Sequence, residues 1–162
     1  MQYSLDQADV IIDIAQQSLK VVKTKQAYCI SSGKTGIGEQ ENSGKTPRGW
    51  HRIAQKIGAE HAKNAVFIGR QWTGEIYNAD LAAEYPERDW ILSRILWLDG
   101  LEENFNCGDG CDTFKRYIYI HGTPDTEPMG IPMSHGCIRM HNTEVIDIFN
   151  LLNEGDLVYL VE

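Results

Sequence analysis

The apolar residues of this chain come in short runs rich in Val, Ile and Tyr, interrupted every few positions by polar residues or glycine. Such runs suit strands that bury one or both faces, and all fall far short of the ~20 consecutive apolar residues a membrane-spanning helix needs. Val10 to Ala15, Leu19 to Lys23 and Gln26 to Ser31 read as three successive strands, a β-meander. A helix over residues 8–22 competes, because Val10, Ile11, Ile14 and Leu19 would also form an apolar stripe. Trp90 to Leu98, Arg116 to Ile120 and Leu157 to Val161 add further strands. One helix stands out: Asn142 can cap it, Val145, Ile146, Phe149 and Leu152 recur at helical spacing, and Gly155 stands where a left-handed end is expected. With 42% hydrophobic residues among 162, the chain can bury a sizeable core, so residues 1–162 are expected to form one mainly β domain with a few short helices.

Charge narrows the partners. A formal net charge of −8 argues against a nucleic-acid backbone, and nothing in the sequence resembles a membrane span. The acids are unevenly spread: residues 20–56 hold eight of the 15 Lys and Arg but only Glu39 and Glu41 in opposition. Within that stretch, Gly33, Gly36, Gly38, Gly44 and Gly49 mark a long loop over 31–49, either a solvated basic edge or a surface that receives an anionic substrate. A second loop is expected from Gly100 to Asp112. Cys29, Cys107, Cys111 and Cys137 are unevenly spaced and fit reduced thiols, with oxidation of Cys107 and Cys111 a conceivable gate. The opening residues lack the basic start and apolar run of a secretory signal, so a cytoplasmic location is expected.

Chemistry concentrates between His121 and Asn142, where three histidines and one cysteine lie close together. If Ser134 to His141 is extended, His135, Cys137, Arg139 and His141 share one face, and Gly136, Ile138 and Met140 the other. A thiol attacks only as thiolate, so Cys137 needs a base; His121, at the end of the apolar run Tyr117 to Ile120, can supply one. Gly136 lets backbone N–H groups approach a developing oxyanion, and Arg139 offers a bidentate grip on a substrate carboxylate.

His-Gly-Thr at 121–123, Ser-His-Gly-Cys at 134–137, Arg139 and Asn142 closely resemble the signature of the L,D-transpeptidase catalytic domain. Thr46-Pro47-Arg48-Gly49, Ile91 to Leu98 and Arg116 to Thr123 extend the resemblance over most of the chain. It implies a β-rich, sandwich-like fold, no cofactor, and peptidoglycan stem peptides as substrate. Cys137 would be the nucleophile and His121 the base; His135, Gly136, Arg139, Gly122, Thr123 and Ser134 would form the oxyanion and substrate-binding surface. The scissile bond would join the third stem residue, commonly diaminopimelate, to a terminal D-Ala, leaving a thioester on Cys137. Capture by an amine gives a cross-link and capture by water an L,D-carboxypeptidase. The missing export signal favours water and recycled, soluble muropeptides.

Two other classes compete. His121, His135, Cys137 and His141 are ligand types suited to zinc, although Arg139 would set a positive charge beside the ion. A non-catalytic sensor of wall fragments would keep the pocket but would not require a Cys–His pair. His51 and His61 stand outside any constellation, and Asn142 reads as a helix cap.

Overall fold

Ten strands join in a single, nearly closed sheet in the computed structural model, which describes residues 2–162. In chain order they are β1 (Val10–Asp13), β2 (Ser18–Val21), β3 (Gln26–Cys29), β4 (Gly49–Ile57), β5 (Ala65–Ile68), β6 (Gln71–Ile76), β7 (Ile91–Gly100), β8 (Tyr119–Thr123), β9 (Ile138–His141) and β10 (Leu157–Val161). Two helices interrupt them, α1 (Ala79–Glu84) and α2 (Asn142–Leu151). The main path runs β3-β2-β1-β10-β4-β7-β5-β6, while β8 pairs with β7 and carries β9 beyond it. The expected mainly β fold is thus present, and β1 to β3 form the expected antiparallel meander.

Strand β7 is the hub. It pairs with β5 and β4 along one edge and with β8 along the other. Side-chain alternation sends Leu96 and Leu98 to one face, where Ile53, Ile120, Ile138, Met140, Val158 and Leu160 join them. Helix α2 closes that face with Val145, Ile148 and Phe149, each burial contributing about 1.5–3 kcal/mol. Ile95 and Trp97 point the other way, into a second cluster with Ala65, Phe67 and Tyr119, against which Cys137 packs. A third, smaller cluster gathers Val66, Trp90 and Leu92 beneath Leu81 of α1 and Tyr77, which precedes that helix.

Several expectations need correction. Arg116 and Tyr117 lie in a turn, with the Tyr117 N–H donating to the Phe114 carbonyl, so the strand begins at Tyr119 and runs through His121 to Thr123. Phe114 is drawn into that turn by stacking on Trp97, ring centroids 3.9 Å apart. Asn142 is not the cap of α2. His141 holds the capping position, and the buried Asn142 amide accepts from Ser93 Oγ at 2.6 Å and donates to the Thr123 carbonyl at 2.9 Å. The helix ends in extended Leu152, and Gly155, at φ +93°, turns the chain toward β10 three residues later. Strands β4, β5 and β6 and helix α1 go beyond the elements expected from sequence: His51, Arg52, Gln55 and Lys56 dilute the apolar pattern of β4, and β6 is an exposed edge strand of largely polar residues.

Candidate active site

Strands β8 and β9 run parallel, with His121 opposite Arg139 and Ile120 opposite Ile138. Because Ile120, Ile138 and Met140 face α2, His121 and Arg139 face the other side, where Cys137 packs beside Tyr119. The nucleophile candidate and the base candidate therefore share one face of two neighbouring strands. The expected extended run from Ser134 is shorter than the sequence suggests: residues 135–137 bend, with Gly136 at φ +125°, and the strand starts at Ile138. A Cβ on Gly136 would lie 3.1 Å from the Lys45 carbonyl oxygen, so glycine is required both by conformation and by space.

The backbone on either side of Ile118 holds the Cys137 sulfur. The Tyr119 N–H donates to Sγ at 3.2 Å, and the thiol donates to the Tyr117 carbonyl at 3.3 Å. Burial pushes the thiol up to about 12; the Tyr119 N–H, Arg139 and Arg116 oppose this, and Asp89 reinforces it. His121 is almost completely buried, and its Nδ1 lies 2.7 Å from the Gly122 carbonyl oxygen. A carbonyl only accepts, so this contact places the proton on Nδ1 and leaves the lone pair on Nε2. Burial holds the imidazole below its ordinary value, against the opposing pull of the Gly122 carbonyl and Asp89. At neutral pH both groups are uncharged: a thiol with a proton to lose and an imidazole with one free acceptor.

Asp89, which carried no signal in the sequence beyond ordinary surface acidity, ties this region together. Its Oδ1 accepts from Arg139 at 3.0 Å, and its Oδ2 lies 3.1 Å from His135 Nδ1. Burial raises its carboxyl, but His121, His135 and Arg139 around it outweigh that and hold it below the usual range. Arg139 is consequently committed to Asp89, with only 11% of its side chain exposed, rather than held out as a free grip for substrate. His135 is largely exposed at the mouth of the site.

The 31–49 loop closes over the bend that carries Cys137. Thr46 Oγ1 donates to the Gly136 carbonyl at 2.9 Å and accepts from the Gly33 N–H at 2.8 Å, and Ser134 Oγ donates to the Cys137 carbonyl. The Gly136 N–H is occupied, donating to Ser134 Oγ at 3.1 Å; among the described residues the Cys137 N–H has no acceptor. Gly122 permits close packing: a Cβ there would lie 2.5 Å from the Leu92 carbonyl oxygen and 2.6 Å from Asn142 Oδ1. Thr123 is buried, and its carbonyl receives the Asn142 amide.

Beside the bend opens a cleft of about 230 Å³, lined by residues including Arg116, Tyr117 and His135. Two of the eight basic residues in the 20–56 stretch are paired with carboxylates, Arg48 with Glu39 and Arg52 with Asp99. His51 is buried between the Gly49 carbonyl and Thr113 Oγ1, and His61 stacks near Trp72, so neither joins the site. His141 lies 3.8 Å from Glu144. Among the described residues no three His, Cys, Asp or Glu side chains converge as a metal-binding group, which leaves the zinc reading without a ligand set. All four cysteines are free thiols, and no helix is long and apolar enough to cross a membrane.

Solved structures that share this fold include L,D-transpeptidases. One from Mycobacterium smegmatis aligns over 96% of this chain and 59% of its own, with a TM-score of 0.54 at 16% identity. L,D-transpeptidase 3 from Mycobacterium tuberculosis, solved with a faropenem-derived adduct, aligns over 94% of this chain and 59% of its own, with a TM-score of 0.56 at 15% identity. YqjB of Bacillus subtilis, which carries an L,D-transpeptidase name, is 41% identical over 54 residues, 33% of this chain and 31% of that protein. The chain thus spans about three-fifths of the solved relatives, and its matched segment about a third of the curated one. The YkuD family model, described as the L,D-transpeptidase catalytic domain, matches residues 7–160, and the chain belongs to that family.

Proposed function

We propose that this chain is a cysteine-dependent acyl-transfer enzyme acting on peptidoglycan stem peptides, with Cys137 as nucleophile and His121 as general base. The observation that carries the proposal is the tautomer fixed at His121: its Nδ1 proton is anchored on the Gly122 carbonyl, leaving Nε2 free on the face that holds Cys137. His121 takes the thiol proton as Sγ attacks the peptide carbonyl carbon. The Cys137 N–H, unoccupied by protein acceptors, and the Tyr119 N–H that already donates to Sγ supply fixed dipoles where negative charge develops or resides. The C–N bond then breaks, His121 returns the proton to the departing amine of D-alanine, and the acyl group stays on Cys137 as a thioester.

The acceptor in this proposal is water, making the enzyme an L,D-carboxypeptidase. Water is small and abundant and is ordered at little cost, whereas a second stem peptide must first be immobilised, and the cleft near the bend is only about 230 Å³. His121 draws a proton from the attacking water, and the thiolate leaves and is reprotonated. Transfer to an amine is the second outcome of the same intermediate, favoured by the names of the relatives. Incubating a soluble disaccharide-tetrapeptide with the protein, with and without an added D-amino acid, separates the two. Tripeptide and free D-alanine in both samples support hydrolysis; exchange of the terminal residue or dimer formation overturns it in favour of transfer.

A further inference from the structure

Strands β5 and β6 are joined by the two-residue turn Gly69-Arg70, at φ +56° and +65°. Positive φ at both central positions is the type I′ hairpin geometry, which favours glycine or asparagine, so an arginine there sits in a conformation its side chain disfavours. What the position provides is direction. The Arg70 guanidinium lies over the second cluster, 4.8 Å from the Trp97 ring centroid and 4.9 Å from that of Tyr117, and donates to Tyr119 Oη at 3.1 Å. Tyr117 and Tyr119 are the two residues whose backbone holds the Cys137 sulfur.

The other arginines are occupied. Arg48, Arg52, Arg88 and Arg139 each pair with a carboxylate, and Arg94 and Arg116 donate to backbone carbonyls. Among the described residues Arg70 alone has neither kind of partner: one of its five N–H donors is used, by a neutral phenol. The Trp97 and Tyr117 rings beside it restrict the side chain, so less of its freedom remains to be lost when an anion binds.

We propose that Arg70 is the carboxylate-binding subsite of this protein, holding a carboxylate of the acyl-donor peptide next to the scissile bond. The role expected of Arg139 from sequence thus passes to a residue on a different strand pair. The ligand chemistry is a carboxylate from one of two sources, the peptide's C-terminus or the side chain of its third residue. The inference rests on the reading of Cys137 as the nucleophile for a peptide substrate.

The test uses Cys137→Ala protein, which binds without turnover, and three tetrapeptides: one with both carboxylates free, one with a C-terminal carboxamide, one with a side-chain carboxamide at the third residue. Calorimetry should show the free-carboxylate peptide binding about 10- to 100-fold more weakly when Arg70→Gln is added, the range expected for losing a charged hydrogen bond. One of the two carboxamides should bind weakly and equally to both proteins, which identifies the source, and Arg70→Lys should recover part of the loss. An Arg70→Gln change that weakens all three peptides alike, together with a lowered melting temperature, overturns the subsite in favour of a structural role for the hairpin; so does no change at all. If no peptide binds Cys137→Ala protein and none is turned over by the wild type, the peptide-substrate reading fails and the subsite with it.

Discussion

Asp89 and Arg139 meet at 3.0 Å across the junction between the loop leading into β7 and strand β9, and the same carboxylate reaches His135 with its other oxygen. The pair fixes an arginine that is nearly buried and has an unpartnered Nε, so removing the acid strands a positive charge. Asp89→Ala should destabilise the fold by about 1–3 kcal/mol, less than for a fully buried pair because Asp89 is partly exposed. Urea denaturation measures it; a loss below about 0.5 kcal/mol, the scale of a neutral surface substitution, would mean the pair is decorative.

The environment of Cys137 makes a kinetic prediction that does not depend on substrate. With the thiol pushed up to about 12, the thiolate is a trace species at pH 7. Alkylation of Cys137 by iodoacetamide, followed by peptide mapping to separate it from the other cysteines, should rise about tenfold per pH unit between pH 7 and pH 10. A plateau reached below pH 8 would reveal a preformed thiolate–imidazolium pair instead.

Gly122 has no room for a side chain between the Leu92 carbonyl and the Asn142 amide. Gly122→Ala forces the β7–β8 pairing apart and disturbs the backbone carbonyl that sets the His121 tautomer. A loss of more than about 2 kcal/mol in stability is expected, accompanied by a fall in turnover. Retention of both would show that the strands yield easily at this point.

His51 links stability to pH. Burial pushes its imidazole down to about 4 in the folded protein from 6.5, so the unfolded chain binds the proton more readily. Its contribution is fully present above pH 6.5 and is lost as pH falls through 4, a swing of about 3 kcal/mol. His121 is shifted in the same direction. Thermal melts of wild type should therefore drop between pH 6.5 and pH 4 more steeply than those of His51→Gln, and parallel curves would remove His51 from the account.

The parts of this architecture legible in sequence were those where local pattern and tertiary outcome agree. Val10, Ile12, Leu19 and Val21 alternate cleanly because β1 and β2 each bury one face, and the spacing of Val145, Phe149 and Leu152 matches the one face that α2 buries. The reactive segment was legible for a different reason: Ser134, Gly136 and Cys137 serve one tight bend whose residues are fixed by local geometry. What sequence could not show was set by distant contacts. Asn142 looks like a cap, yet Ser93, displaced by a bulge in β7 at φ +70°, draws its amide inward. Asp89 and Arg70 read as ordinary surface charges until the loop before β7 and the β5–β6 turn bring them to residues far along the chain.

Every role assigned to the site depends on Cys137 becoming acylated. Intact-protein mass spectrometry of wild type mixed with a stem tetrapeptide and quenched in acid within seconds tests it directly. The mass should rise by that of the peptide less D-alanine, the adduct should map to Cys137, and Cys137→Ala should show neither adduct nor product. Release of D-alanine by Cys137→Ala, or an adduct mapped to another residue, would contradict the mechanism.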